Sequence, residues 1–229
     1  MPTCIVTARL LSPVAAYHPL HLDGLLAAVA HGASHHLCRS SPATDIAIPP
    51  IPIYHLDVLG SGCYLSSAWL WPEGAARGRE RFTKKKDAAD IELRDRVWNH
   101  KSGPEKAYDV AIPTIESQTV SWVAVGSRRG LIEALRYVRQ IGMMRRHGYG
   151  MVGDWDVSLA PEQDPIQTLI DTSGRAARHL PATWANGETE RGAYEPPYWH
   201  PARAADVRVP IGTLCQLRPE VMAAVRGVR

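Results

Sequence analysis

At 229 residues, 45% hydrophobic and 21% charged, the chain can bury a substantial core and has the balance of a globular protein. A net charge of +3 excludes a polycation, so any nucleic-acid site must come from local clustering of Lys and Arg. There is no run of about 18 apolar residues and no Lys/Arg-flanked apolar segment at the N-terminus, so neither a membrane span nor a signal peptide is expected. In chain order, Cys4 to Leu10 is β-rich and reads as a first strand, ended by Ser12-Pro13. Leu22 to Ala30 reads as a buried helix with Asp23 capping near its start. Residues 40 to 52 are Ser/Pro-rich and read as a loop. Ile53 to Leu59 and Cys63 to Trp71 read as two strands around Gly60-Ser61-Gly62, a hairpin stopped by Pro72-Glu73-Gly74.

Residues 75 to 101 change character. Arg77, Arg79, Arg81, Lys84, Lys85 and Lys86 crowd together, and Asp87 to Trp98 carries mixed charge and reads as helical. We expect a basic, solvent-facing, thumb-like helical insertion. After the turn Ser102-Gly103-Pro104, Ala107 to Thr114 and Thr119 to Val125 read as strands. Ser127 caps a helix whose apolar positions Leu131, Ile132, Leu135, Val138 and Ile141 lie along one face. Arg128, Arg129, Arg136 and Arg139 lie largely elsewhere on that helix. A glycine loop, Gly142 to Gly150, leads to a strand from Met151 to Leu159. The tail from Pro161 is rich in Pro, Gly and Trp, and Val207 to Leu217 reads as a last strand. The order β-α-β-β, then β-β-α-β, suggests α+β, ferredoxin-like packing with antiparallel sheets. Residues 1–160 would form the main domain and 161–229 an extension packed on it, able to complete a second small sheet.

Cys4, Cys38, Cys63 and Cys215 form no CxxC pair, which argues against a zinc ribbon. His35-His36-x-Cys38 is too sparse to predict a metal site. No metal or cofactor is expected, and the thiols should be free in a reducing cytoplasm. The chain has one Phe against seven Trp and eight Tyr, residues that suit cores, interfaces and base stacking alike. Trp69 and Trp122 sit in apolar strands and read as core. Tyr198-Trp199, after two prolines, reads either as a pin for the tail or as part of a partner surface. His18, His21 and Asp23 read as local hydrogen-bonding groups that set the entry to the first helix.

Gly142-Met143-Met144-Arg145-Arg146-His147-Gly148-Tyr149-Gly150 carries the sharpest functional signal. Main-chain N–H groups in a glycine-rich turn can reach phosphate oxygens without a Cβ in the way. Arg145 and Arg146 can add charge-assisted contacts, and His147 or Tyr149 can stack on a base. Arg136 and Arg139 would extend this site, and Arg77, Arg79, Arg81, Lys84, Lys85, Lys86 and Lys106 would form a second one. The competing readings are a tight turn with solvated arginines, and a solvated charged face.

Several segments together resemble the CRISPR RAMP proteins. These are Ser12-Pro13 with His18-Pro19-Leu20-His21-Leu22-Asp23-Gly24-Leu25-Leu26, then Ser66-Ser67-Ala68-Trp69 and Ser102-Gly103-Pro104-Glu105-Lys106-Ala107-Tyr108. Trp122-Val123-Ala124-Val125-Gly126, the loop ending Gly148-Tyr149-Gly150, and Pro196-Pro197-Tyr198-Trp199 complete the series. Across residues 3 to 215 the chain resembles the type IV CRISPR effector subunit of the Cas-five type. The resemblance implies a RAMP variant of the ferredoxin-like (RRM-like) fold and a non-catalytic subunit that caps the crRNA 5′ handle. It also implies backbone and large subunits as partners, target DNA reached through the complex, and association with a DinG-type helicase. The alternative is a metal-independent crRNA endoribonuclease, as some RAMP relatives are. That chemistry needs a base for the 2′-OH, an acid for the leaving oxygen and a cation for the phosphorane. His147, Tyr149, Arg145 and Arg146 supply the residue types, but no separated triad can be assigned.

Overall fold

The computed structural model describes residues 2–32, 50–58, 61–84, 108–161, 168–198 and 200–212. Its elements are β1 (Thr3–Leu10), β2 (Val14–Ala15), α1 (Leu22–Gly32), β3 (His55–Val58), β4 (Ser61–Tyr64), β5 (Ala76–Lys84), β6 (Tyr108–Glu116) and β7 (Thr119–Val125). They continue with α2 (Arg128–Leu135), β8 (Val152–Leu159), β9 (Leu180–Pro181), β10 (Thr189–Gly192) and β11 (Ala205–Arg208). The fold is α+β, and every ladder between these strands is antiparallel.

β1 is the centre of the main sheet, with β7 on one side and β8 on the other. Its even residues Cys4, Val6, Ala8 and Leu10 join Val120, Trp122 and Ala124 of β7 in one core. Leu22 and Leu26 of α1 and Leu131 and Leu135 of α2 close that core from the helical side. On the opposite side of the same strands Ile5, Thr7, Ser121 and Val123 are also buried. Burial on both faces explains why β1 and β7 read as nearly continuous apolar runs rather than as an alternation.

Residues 65–70 run along the free edge of β7. The N–H groups of Ser121 and Val125 donate to the carbonyls of Leu70 and Leu65. The expected strand from Cys63 to Trp71 is thereby corrected. It divides into β4, paired with β3, and a bridge-bonded run beside β7. The run is irregular because its N–H groups look different ways: Ser67 to Val123, Ala68 to Ala177 and Trp69 to Leu20. The Ser67 hydroxyl takes the Val123 N–H in place of a main-chain acceptor. The spatial order is then β8, β1, β7 and the 65–70 run, with α1 and α2 each connecting two of these strands.

The basic segment departs from the expected helical insertion over its described part. Arg77, Arg79, Arg81 and Lys84 lie on β5, which pairs with β6 along its whole length from Ala76↔Glu116 to Lys84↔Tyr108. Arg-Gly-Arg-Glu-Arg-Phe-Thr has a period of two, and that alternation is a strand signal within a charge run. Lys85, Lys86, Lys106 and the expected helix over Asp87 to Trp98 lie outside the described residues, as do His35, His36, Cys38 and Cys215.

The second helix is shorter than expected. Ser127 does cap it, its hydroxyl accepting the Gly130 N–H at 3.2 Å, but α2 stops at Leu135. Val138 and Ile141 stay buried while Ile132 is 43% exposed. Residues 139–141 instead pair with 150–152, through Val152 N–H to Arg139 and Ile141 N–H to Gly150. The C-terminal region forms a small sheet in the order β10-β11-β9. Among the described residues the last strand spans Ala205–Arg208 rather than starting at Val207, and 213–217 of the expected strand lie outside them. Leu169, Ala176 and Leu180 pack with Cys63, Leu65 and Val125 in a second core.

Candidate nucleic-acid interface

The glycine loop is the tip of the 139–152 pairing. Gly142, Gly148 and Gly150 all have positive φ, and so does Met144 at 54°. A Cβ on Gly150 would lie 1.9 Å from the Ile141 carbonyl oxygen, and one on Gly142 would lie 2.7 Å from that of Ala15. These two glycines therefore bring the loop close to its own chain. A Cβ on Gly148 would meet nothing within 4 Å, so the space beside its Cα is open, while its N–H is engaged by the Arg145 carbonyl. The N–H groups of Met143, His147, Gly148 and Gly150 donate to Ala15, Met144, Arg145 and Pro13 carbonyls. They help to hold the turn's shape. Arg145, Arg146 and His147 form a short 3-10 turn, all three exposed. The Gln140 amide holds the Arg145 carbonyl at 2.9 Å.

Two expected basic segments meet at one side chain. Phe82 of β5 lies 5.6 Å, centroid to centroid, from both His147 and Tyr149, edge-on to each. The sheet explains the approach. Met143 bridges to Ala15 of β2, Ala15 pairs with Thr114 of β6, and Thr114 pairs with Gly78 of β5. The turn is thus stitched to the edge of the sheet that carries the hairpin. Phe82 shares its face of β5 with Gly78 and Glu80, whereas Arg77, Arg79 and Arg81 alternate onto the opposite, exposed face. The arginine row and the turn flank the hairpin from two sides. Burial first, and the Glu80 carboxylate second, raise the pKa of the Tyr149 phenol, so it stays protonated and able to donate.

The other expected residues sit as follows. Arg81 forks onto the Asp109 carboxylate on β6, its Nε at 2.7 Å. Arg136 caps α2, and its guanidinium carbon lies 4.6 Å from the centroid of the exposed Tyr137 ring. Arg139 is exposed beyond the helix. Trp69 and Trp122 are core residues, 5% and 0% exposed.

A third cluster escaped the sequence reading. The fully buried Arg178 pairs with Asp23 of α1 at 3.0 Å and also donates to the carbonyls of Tyr64, Ser66 and Tyr194. Tyr198 donates to the same carboxylate at 2.8 Å. Its ring lies on α1 where a Cβ on Gly24 would come within 2.8 Å, and it stacks on His21 at 4.4 Å. His21 Nε2 is 3.0 Å from His179 Nδ1, and His179 Nε2 is 2.8 Å from Glu190. The expectation of purely local roles for His21 and Asp23 is therefore corrected. Their partners come from the C-terminal region, 158 and 155 residues away for His179 and Arg178. Tyr198 is a pin for the tail. Asp23 lies in the first turn of α1, with both oxygens engaged by Tyr198.

Cys4 and Cys63 are free thiols in buried sites, and burial pushes Cys63 up to about 11, so it is a neutral, unreactive filler. Among the described residues no three His, Cys, Asp or Glu side chains gather as a metal site. Nor is any described helix long and apolar enough to cross a membrane. The signal for Phe82 was present in the sequence: it is the one Phe of the chain, set within its densest basic run.

Neither a protein-family model nor a curated protein matches this chain.

Proposed function

We propose that the chain is a non-catalytic RNA-binding subunit of a type IV CRISPR effector, of the Cas-five type, that holds the crRNA 5′ handle. The observation that carries this reading is the contact of Phe82 with His147 and Tyr149. It joins the basic β5–β6 hairpin to the arginine-bearing glycine turn, the two segments in which the chain's cations cluster. The order β8, β1, β7 and the 65–70 run, with a helix after β1 and another after β7, supports a ferredoxin-like core of the RAMP kind. A turn whose shape is fixed by its own hydrogen bonds presents Arg145 and Arg146 without first having to order itself. In this reading the backbone and large subunits assemble around the handle, target DNA is met through the complex, and a DinG-type helicase acts with it in the cytoplasm.

The test is co-purification of the full chain with its guide RNA and sequencing of the bound RNA ends, followed by handle binding with purified protein. A double variant Arg145→Ala/Arg146→Ala should bind handle RNA more weakly. If the two arginines meet two phosphates, the slope of log K against log salt should flatten by roughly 1 to 2. Unchanged binding would show a protein scaffold that does not touch RNA at this turn. Specific cleavage of repeat RNA in EDTA, lost on His147→Ala, would replace the non-catalytic reading with the endoribonuclease.

A further inference from the structure

We infer that Phe82, His147 and Tyr149 form a seat for one unpaired nucleobase, at the junction of the hairpin and the turn. This rests on the RNA-binding reading above and assigns the seat to the base rather than the phosphate. Phe82 pairs directly across the sheet with Val110, so the two side chains share a face. Val110 is 38% exposed. The patch is therefore an aromatic and aliphatic floor open to solvent, with exposed Arg145 and Arg146 at its rim. A cluster of rings with guanidinium groups beside it suits a base whose phosphates lie outside it.

Charge within the patch separates base from phosphate. Glu80 shares the Phe82 face of β5 and is near enough to Tyr149 to contribute to its raised pKa. A carboxylate there repels a phosphate but can accept from the amino group of a base, and the protonated Tyr149 phenol can donate to a ring nitrogen or carbonyl. A duplex cannot use the seat, because its bases are already stacked on one another. The ligand class is thus single-stranded RNA with at least one splayed base.

The experiment measures anisotropy of a short labelled single-stranded RNA and of its duplex, using the full chain. Wild type, Phe82→Leu, Phe82→Trp and Arg145→Ala/Arg146→Ala are compared across a salt series. A 2-aminopurine base in the single strand reports stacking through quenching. Stacking on an aromatic side chain strengthens binding by roughly ten-fold per base. Phe82→Leu should therefore weaken single-strand binding by about that factor, leave the salt slope and duplex binding unchanged, and relieve the quenching. Phe82→Trp should restore both. If Phe82→Leu binds and quenches like wild type while the arginine variant is weakened, the seat is wrong and RNA binding stands. Equal weakening of single strand and duplex would make Phe82 a packing residue and overturn the seat. A wild type that binds neither RNA at low salt would remove the RNA reading and the seat with it, leaving this patch to a protein partner.

Discussion

Gly150 and Gly148 sit two residues apart in one turn, both with positive φ, and do different work. A methyl group at Gly150 would collide with the Ile141 carbonyl at 1.9 Å, and the same two residues carry the pairing that closes the turn, Ile141 N–H donating to the Gly150 carbonyl. Gly150→Ala must either open that pairing or shift residues 139–141, which are anchored by the buried Ile141. We expect a loss of about 3 kcal/mol or more. At Gly148 only the left-handed backbone is penalised, so Gly148→Ala should lose about 1 kcal/mol. Urea unfolding of both variants checks this. Equal midpoints would mean that the turn can rearrange and does not hold Arg145 and Arg146 in fixed positions. The same comparison separates two uses of glycine that a sequence cannot distinguish, because close approach to the chain itself and open space beside the Cα look alike in a string of letters.

At the scale of elements, the tail is joined to α1 by charge as well as by apolar packing. Arg178 lies between the small C-terminal sheet and the first helix with its charge balanced by Asp23, and both groups are fully buried. Removing one partner strands the other in a medium of low dielectric, so Asp23→Ala should destabilise the protein by about 3 to 5 kcal/mol. Tyr198→Phe removes one donor to that carboxylate and should cost about 1 to 3 kcal/mol. Thermal unfolding of the two variants tests the order. If Tyr198→Phe proved the more damaging, the hydroxyl, which also accepts from Arg178, would matter more than the Asp23 charge. None of this was legible beforehand, because Arg178 and Asp23 are 155 residues apart and nothing local marks either as buried. Elements whose signal is local fared better: β7 fell at Thr119–Val125 as expected, from an apolar run with Thr and Val. The Leu135-Val138-Ile141 spacing continued a helix on paper that the structure ends at Leu135. Burial there is satisfied by a turn and a strand-like pairing, and a spacing of three cannot distinguish these from helix. The basic run conceals β5 for a related reason, since six clustered cations suit a solvated helix as well as a strand and only the alternation of Arg77, Arg79 and Arg81 marks the strand.

For the whole molecule, the buried histidines tie stability to pH. Burial first, then the neighbouring Arg178 charge and His179, hold His21 well below the usual imidazole range. Burial also lowers His179, with Glu190 opposing and Arg178 and His18 assisting. A consistent proton arrangement has Glu190 accepting from His179 Nε2 and His179 Nδ1 accepting from His21 Nε2. His21 Nδ1 is then left as a bare acceptor, without a partner among the described residues. Both rings are neutral in the folded state, whereas in the unfolded chain they take up protons near pH 6.5. Below that pH the unfolded state binds more protons than the folded one, so stability falls as pH falls. The contribution is complete above about pH 6.5 and is lost through the window down to the depressed folded values, at up to about 1.4 kcal/mol per pH unit for each ring. Urea unfolding at about pH 7.5, 6.5 and 5.5 should show this decline. His21→Phe keeps a ring against Tyr198 and removes one titration, so its curve should be flatter over the same range. A wild type equally stable at all three values would mean that water or a rearranged Glu190 satisfies the protonated pair, and that the contact between the tail and α1 does not depend on its neutrality.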